Sequence, residues 1–245
     1  MKDKRLLFCL AHAGASASKY HRWSRELPGV SVVPLELNGR GTRINSVPHK
    51  RFKDAVAQLT EQVISSLRTC TTPYCIFGHS IGAVLGLAVE RNLELHGHQA
   101  LGLVLAGRGT PYYSRVLDRP IAHLSDDELI VQLGVFGGLP DAMITNQEIR
   151  ELFLPIIRAD FALLEDAREL DLDRSVNCPV HILNGLDDTT CGNPQAIVNA
   201  WASVTTERST FHTFDGGHFF VDSNLPRIWA IINNVLSETG RVNES

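Results

Sequence analysis

Apolar residues along the chain follow two alternating patterns. Short runs have strand length: RLLFCL (5–10), VSVVPLEL (30–37), YCIFG (74–78), ALGLVLAG (100–107), PVHILNG (179–185) and RSTFHTF (208–214). Several are apolar without a break, as strands covered on both faces must be. Between them, apolar positions recur at helical spacing. FKDAVAQLTEQVISSL places Phe52, Val56, Leu59, Val63 and Leu67 on one side, and GAVLGLAVERNLELHG ends in Gly97, a helix stop. PRIWAIINNVLSET opens with Pro226 and carries Ile228, Ile231, Ile232 and Val235 on one face. This alternation predicts an α/β fold with a mostly parallel central sheet and helices on both faces. Neither internal repeat nor low-complexity segment interrupts it, so a single domain over 1–245 is expected.

The rhythm stops at about 112–175, where an acidic, helical block is predicted. Ser125-Asp126-Asp127-Glu128 is a capping-box sequence, and Thr145-Asn146-Gln147-Glu148 repeats the device with threonine as the cap. In the helix that follows, Ile149, Leu152, Phe153, Ile156 and Phe161 are expected to line one side, and Pro155 to kink or split it. The glycine-rich GVFGGLPDAM lies between the two helices. A hinged helical insertion between strands suits a lid over a site at the sheet edge. The alternative is an appendage that enlarges the core.

Charge adds a second asymmetry. The 245 residues carry a net charge of −4, yet 1–54 hold 11 Lys/Arg against 4 Asp/Glu, and 125–175 hold 4 Arg against 12 Asp/Glu. These are either two solvated surfaces or a basic face that attracts an acidic partner. No basic-aromatic motif points to nucleic acid. No apolar run reaches 18 residues, so no transmembrane helix is expected. The start, MKDKRLLFCLAHAG, is basic and then apolar, but its apolar stretch is too short for a signal sequence and reads as a first strand. The five cysteines, Cys9, Cys70, Cys75, Cys178 and Cys191, lack metal-ligand spacing and suit reduced thiols in a cytoplasmic protein.

Chemistry enters at YCIFGHSIGAVLG, where a strand-like run passes through Gly78-His79-Ser80-Ile81-Gly82 into a helix-like one. A serine hydroxyl needs a base to take its proton and donors to hold the oxyanion that forms. In a Gly-x-Ser-x-Gly elbow the glycines permit the sharp turn, the serine stands above the sheet, and the next amide joins the oxyanion hole. Such a fold places the acid and then the base in loops after later strands. PVHILNGLDDTT offers Asp187 and Asp188. Asp188 is preferred, since a Gly-x-x-Asp spacing lets its carboxylate turn back towards the histidine, which leaves Asp187 a bystander. FHTFDGGHFFVD supplies His218 in the loop where a base is required, while His12, His79 and His212 read as structural or site-lining. The small-residue loop CLAHAGASAS suits the second oxyanion donor.

Together, LAHAGASAS, LELNGRGTR, FGHSIGAVLGLAVE, LAGRGTP, LSDDEL, GGLP, LPIIRADFALLE, CPVHILNGLDD and GGHFF resemble the type II thioesterases, from about Leu7 to Leu236. These are stand-alone α/β-hydrolases that serve nonribosomal peptide and polyketide synthases. The resemblance implies an α/β-hydrolase fold with a helical lid, a Ser80–Asp188–His218 triad, and backbone amides of Ile81 and Ala13 as oxyanion donors. Phe136, Met143, Phe153, Phe161 and Phe219 are the expected lid and chamber residues. It implies hydrolysis of acyl thioesters on the phosphopantetheine arm of an acyl or peptidyl carrier protein, without metal or other cofactor, by a monomer. Carrier proteins are typically acidic, and Lys19, Arg22, Arg25, Arg40 and Arg43 are candidates for docking one. An esterase or acyl-CoA thioesterase of the same fold is the alternative, and a non-catalytic binding protein is disfavoured by the intact triad. Ala15, Asn38, Thr189 and Cys191 depart from the family pattern without removing a catalytic side chain.

Overall fold

All six apolar runs form strands, though the ends differ by a few residues. The computed structural model describes residues 5–67, 72–111, 120, 124–137, 139–167 and 174–237. Its strands are β1 (Arg5–Leu10), β2 (Val30–Pro34), β3 (Tyr74–His79), β4 (Gly102–Ala106), β5 (Val180–Gly185) and β6 (Ser209–Phe214). They make one sheet in the order β2-β1-β3-β4-β5-β6, and every pairing is parallel. β2 ends at Pro34, earlier than its apolar run; the missing N–H of Pro34 falls on the open side of this edge strand, and the Leu35 amide still donates to the Cys9 carbonyl at 2.9 Å.

The chain moves from β1 outward to β2 and then crosses to β3 on the other side of β1. That reversal opens a crevice at the carboxyl ends of β1 and β3, where open α/β sheets hold their ligands. Leu10 stands opposite Gly78, so the loops leaving these strands emerge side by side.

Helices α1 (Phe52–Leu67), α2 (Ile81–Leu95), α3 (Asp126–Gly134), α4 (Asp141–Thr145), α5 (Gln147–Asp166), α6 (Pro194–Trp201), α7 (Phe220–Ser223) and α8 (Leu225–Ser237) surround the sheet, with a 3-10 segment at Ala17–Arg25. Strand side chains alternate between two cores. Leu6, Phe8, Leu10, Tyr74, Ile76, Leu103 and Leu105 pack with α1, α2 and the α3–α5 block. Leu7, Cys9, Cys75, Phe77, Val104 and Ala106 pack with Tyr20, Trp23 and α8 on the other face. Gly97 takes φ +77° just past α2, and its amide returns to the Glu94 carbonyl at 3.1 Å, as expected of a helix stop.

Helices α3 to α5 lie between β4 and β5, and the ends of the predicted insertion, 112–119, 121–123 and 168–173, fall outside the described residues, as does Cys70. The Ser125 capping box forms in both directions. The second cap is displaced by one residue from expectation. Thr145 is used by α4, its hydroxyl bonded to the Asp141 carbonyl, and Asn146 accepts from the Ile149 amide instead. Pro155 does not split α5, because it sits on the solvent side, where water can serve the carbonyl it leaves without a partner. The buried stripe also differs from the one expected. Ile156 and Phe161 are buried as expected, but Leu154, Ile157 and Leu164 are buried with them, while Leu152 is 56% exposed.

No described helix is long and apolar enough to cross a membrane. Cys9, Cys75, Cys178 and Cys191 are buried free thiols.

Candidate active site

Ser80 follows the last residue of β3 and precedes the first of α2. Its backbone has φ +59° and ψ −116°, and it is the one non-glycine residue with positive φ among those described. The strain therefore falls on the serine, and the flanking glycines serve another purpose. A Cβ on Gly78 would lie 2.1 Å from the Gly82 carbonyl oxygen, and one on Gly82 would lie 2.5 Å from the Leu10 carbonyl oxygen. Strand, elbow and β1 loop close backbone against backbone, which only glycine allows. Ile81 opens α2, so its amide belongs to the first turn, where no intrahelical acceptor exists.

The loops after β5 and β6 bring Asp188 and His218 together. His218 Nδ1 lies 2.8 Å from Asp188 Oδ2, and both side chains are buried. The loops are themselves tied, the Asp187 amide donating to the Gly216 carbonyl at 3.0 Å. Asp187 points its side chain to solvent and takes no part. Burial pushes the Asp188 carboxyl up, but hydrogen bonds and charge from His218, with donors on Thr190 and Cys191, outweigh it and bring it down to about 2. Those donors are the Thr190 amide at 3.0 Å and hydroxyl at 2.5 Å to Oδ1, and the Cys191 thiol at 3.1 Å to Oδ2. With its acceptor sites filled, Asp188 holds the Nδ1–H tautomer of His218 and leaves Nε2 as the basic nitrogen.

His79 fixes the other side of this histidine. Burial drives its pKa well below the ordinary value, so the ring is neutral, and Nε2–H donates to the His218 carbonyl at 2.9 Å. His12 is held down to about 4 by burial and by the charge of Lys19. Its Nδ1–H meets the Ala13 carbonyl at 3.1 Å.

Ser80, His218, His12 and Ala13 open onto one cavity of about 400 Å³. The rest of its wall is nearly all apolar, and Phe136, Met143, Phe153, Phe161 and Phe219 all line it. Phe136 rests edge-on against His218, with ring centres 4.9 Å apart. Asp188, Cys191 and His218 are the one described group whose ligand atoms are close enough to share a metal ion. Burial and the Asp188 charge hold the Cys191 thiol well above its usual pKa, so it keeps its proton and acts as a donor rather than a ligand.

One of the five basic candidates does not reach the surface. Arg40 is buried and paired with Asp160 at 2.5 Å, which removes it from any docking face. Lys19 and Arg22 both meet Asp222, at 3.3 and 3.0 Å, and Arg43 donates to Asn38 at 2.7 Å. Arg25 is exposed. His79 takes a structural part, as expected, whereas the Asp188 donors and the Arg40–Asp160 pair were not anticipated. Of these, only Asp160 leaves a signal in the sequence, as a charge one turn after Ile157 on an apolar stripe.

A parallel sheet of this order, with a strained serine at the end of its third strand and a helical block between the fourth and fifth, is the α/β-hydrolase architecture. The chain matches the Thioesterase domain family over residues 5–236. It belongs to that family and is a thioester hydrolase. Thioesterase PikA5 of Streptomyces venezuelae is 31% identical, with 95% of this chain and 79% of that protein covered. Among solved structures, ClbQ from the colibactin NRPS/PKS pathway is 29% identical at a TM-score of 0.86, covering 97% of this chain and all of that one. The type II thioesterase BorB from the borrelidin biosynthetic cluster is 29% identical at a TM-score of 0.82, covering 96% and 94%.

Proposed function

We propose that this protein is a type II thioesterase that hydrolyses acyl groups from the phosphopantetheine arm of carrier proteins in nonribosomal peptide or polyketide biosynthesis, with Ser80, His218 and Asp188 as its triad. One observation carries the reading: the strained Ser80 and the Asp188-bound His218 line the same apolar cavity of about 400 Å³, a size that suits an acyl group. The similarity to thioesterases named for such pathways supports the substrate class.

His218 Nε2 takes the proton as Ser80 Oγ attacks the thioester carbonyl. The amides of Ile81 and Ala13 hold the oxyanion. The tetrahedral intermediate collapses, the C–S bond breaks, and His218 returns the proton to the departing thiol. Water, deprotonated by the same nitrogen, then attacks the acyl-serine and the acid leaves. Asp188 steadies the imidazolium without taking its proton. Helices α3 to α5 act as the lid over the acyl chamber, within a single domain. Lys19, Arg22, Arg25 and Arg43 are the docking candidates that remain.

Release of acetyl, medium-chain and aminoacyl groups from a loaded carrier protein is the test, with matched coenzyme A thioesters and nitrophenyl esters run beside it. Wild type should clear carrier-bound groups preferentially, and Ser80→Ala should lose at least about 10³-fold. Preference for simple esters, or an active Ser80→Ala, would sink the reading. Reversing Arg22 and Arg25 should slow carrier-bound turnover and spare a small soluble thioester, whereas equal loss on both removes the docking assignment.

A further inference from the structure

We propose that Asp160 is a positioning residue for the oxyanion hole: its carboxylate, clamped by Arg40, holds the backbone of the β1 loop so that the Ala13 N–H faces the developing oxyanion. The proposal rests on the thioesterase reading above.

The Gly14 N–H donates to Asp160 Oδ2 at 2.8 Å, and Arg40 Nη1 and Nη2 donate to Oδ2 and Oδ1 at 2.5 Å each. Asp160 is fully buried and Arg40 is 5% exposed. Gly14 takes φ +78°, and a Cβ there would lie 2.5 Å from Ile157 Cγ1, so the loop lies directly on α5 one turn before Asp160. At its far end the loop is pinned separately. Ser16 Oγ donates to Glu36 at 2.6 Å and the Ala17 amide to the same carboxylate at 3.2 Å. Between these pins and the end of β1 lies Ala13, in the cavity wall beside Ser80. The Gly14 amide is the next peptide along, so fixing it fixes the peptide plane that orients its neighbour.

Stability alone does not account for the clamp. Two buried charges lose their hydration, and replacing such a pair with apolar groups is often neutral or stabilising. What an apolar pair lacks is an acceptor for the Gly14 N–H. A bare carboxylate so close to the site would oppose an oxyanion, and the bidentate Arg40 cancels that charge while leaving the acceptor in place. Asp160 thus orients a donor without spoiling the potential around it.

Two double variants isolate the acceptor. Arg40→Met with Asp160→Asn and Arg40→Met with Asp160→Leu both remove the buried charges, but only asparagine can still accept from Gly14. On a small soluble thioester, the asparagine pair should retain kcat within about threefold. The leucine pair should lose about 10²-fold in kcat and in kcat/KM together, with KM little changed, as for a lost oxyanion donor. Equal kcat in the two, or a loss confined to KM, overturns the proposal. Hydrogen exchange supplies a readout independent of catalysis. In the wild type, peptides over 12–16 should exchange slowly, and fast exchange there overturns the proposal without any variant. If the wild type hydrolyses no thioester, the functional reading fails while exchange still decides whether Asp160 holds the loop.

Discussion

At position 80 an L-residue occupies φ +59°, a conformation that costs on the order of 1–3 kcal/mol. Glycine adopts it freely, so Ser80→Gly should melt higher than Ser80→Ala, by about 1 kcal/mol, with both inactive; equal melting would show that the turn is unstrained. Asp188→Asn should lower kcat by about 10⁴-fold through loss of the correct His218 tautomer. Because the folded Asp188 carboxyl lies below its unfolded value, it adds stability above about pH 4, which is lost as pH falls towards about 2. Glu90 has the opposite sign. Burial lifts it to about 7 against opposing bonds from the Ala100 amide and Tyr74 hydroxyl. The folded state therefore holds a proton that the unfolded state has released, and stability falls as pH rises from about 4.5 to about 7. Relative to wild type, Glu90→Gln should be up to about 3 kcal/mol more stable at pH 8 than at pH 5; an unchanged difference between the two melts would refute this. The placement of Ser80, Asp188 and His218 after β3, β5 and β6 could be read from the sequence because the apolar runs mark those strands. Thr190 and Cys191 could not, since their roles depend on the side-chain directions of a four-residue turn.

The α3–α5 block forms one wall of the chamber, and its tuning belongs to the elements rather than to the chemistry. Met143, on α4, is buried in that wall. Met143→Trp should fill part of the cavity and lower turnover of medium-chain thioesters about tenfold more than that of acetyl thioesters; equal loss for both would mean that the chain does not enter there. Asn146→Ala should cost about 1 kcal/mol by leaving the first amides of α5 uncapped, visible as faster exchange at its N-terminus. Periodicity located these helices and placed their faces only in part: Ile149, Phe153 and Phe161 line the cavity and Ile156 is buried, while Leu152 is exposed. The long apolar segment of α5 offers more than one stripe, and which one turns inward is set by Gly14 and the chamber rather than by local spacing. The cap moved for a similar reason, because α4 takes up Thr145. Arg40 illustrates the same limit for charge. A basic residue in a polar loop reads as exposed until the partner that buries it, 120 positions away, is known.

Across the whole molecule, the six strands and their parallel sheet followed from the apolar runs, while the strand order, with its reversal at β1, is visible only in the structure. The site is gathered from loops after β1, β3, β5 and β6 and from α3 to α5, between His12 and His218. In an all-parallel sheet no neighbouring strands are joined by a hairpin, so each pairing waits for a crossover to close. His218 follows β6, which among the described residues is an edge strand paired with β5. During refolding, helical signal should therefore return first and thioesterase activity last, after the final strand docks. Simultaneous recovery of the two signals would contradict that order. Turnover then becomes the most demanding probe of native structure: a chain with its described helices and five of the six described strands in place has yet to bring His218 to Asp188.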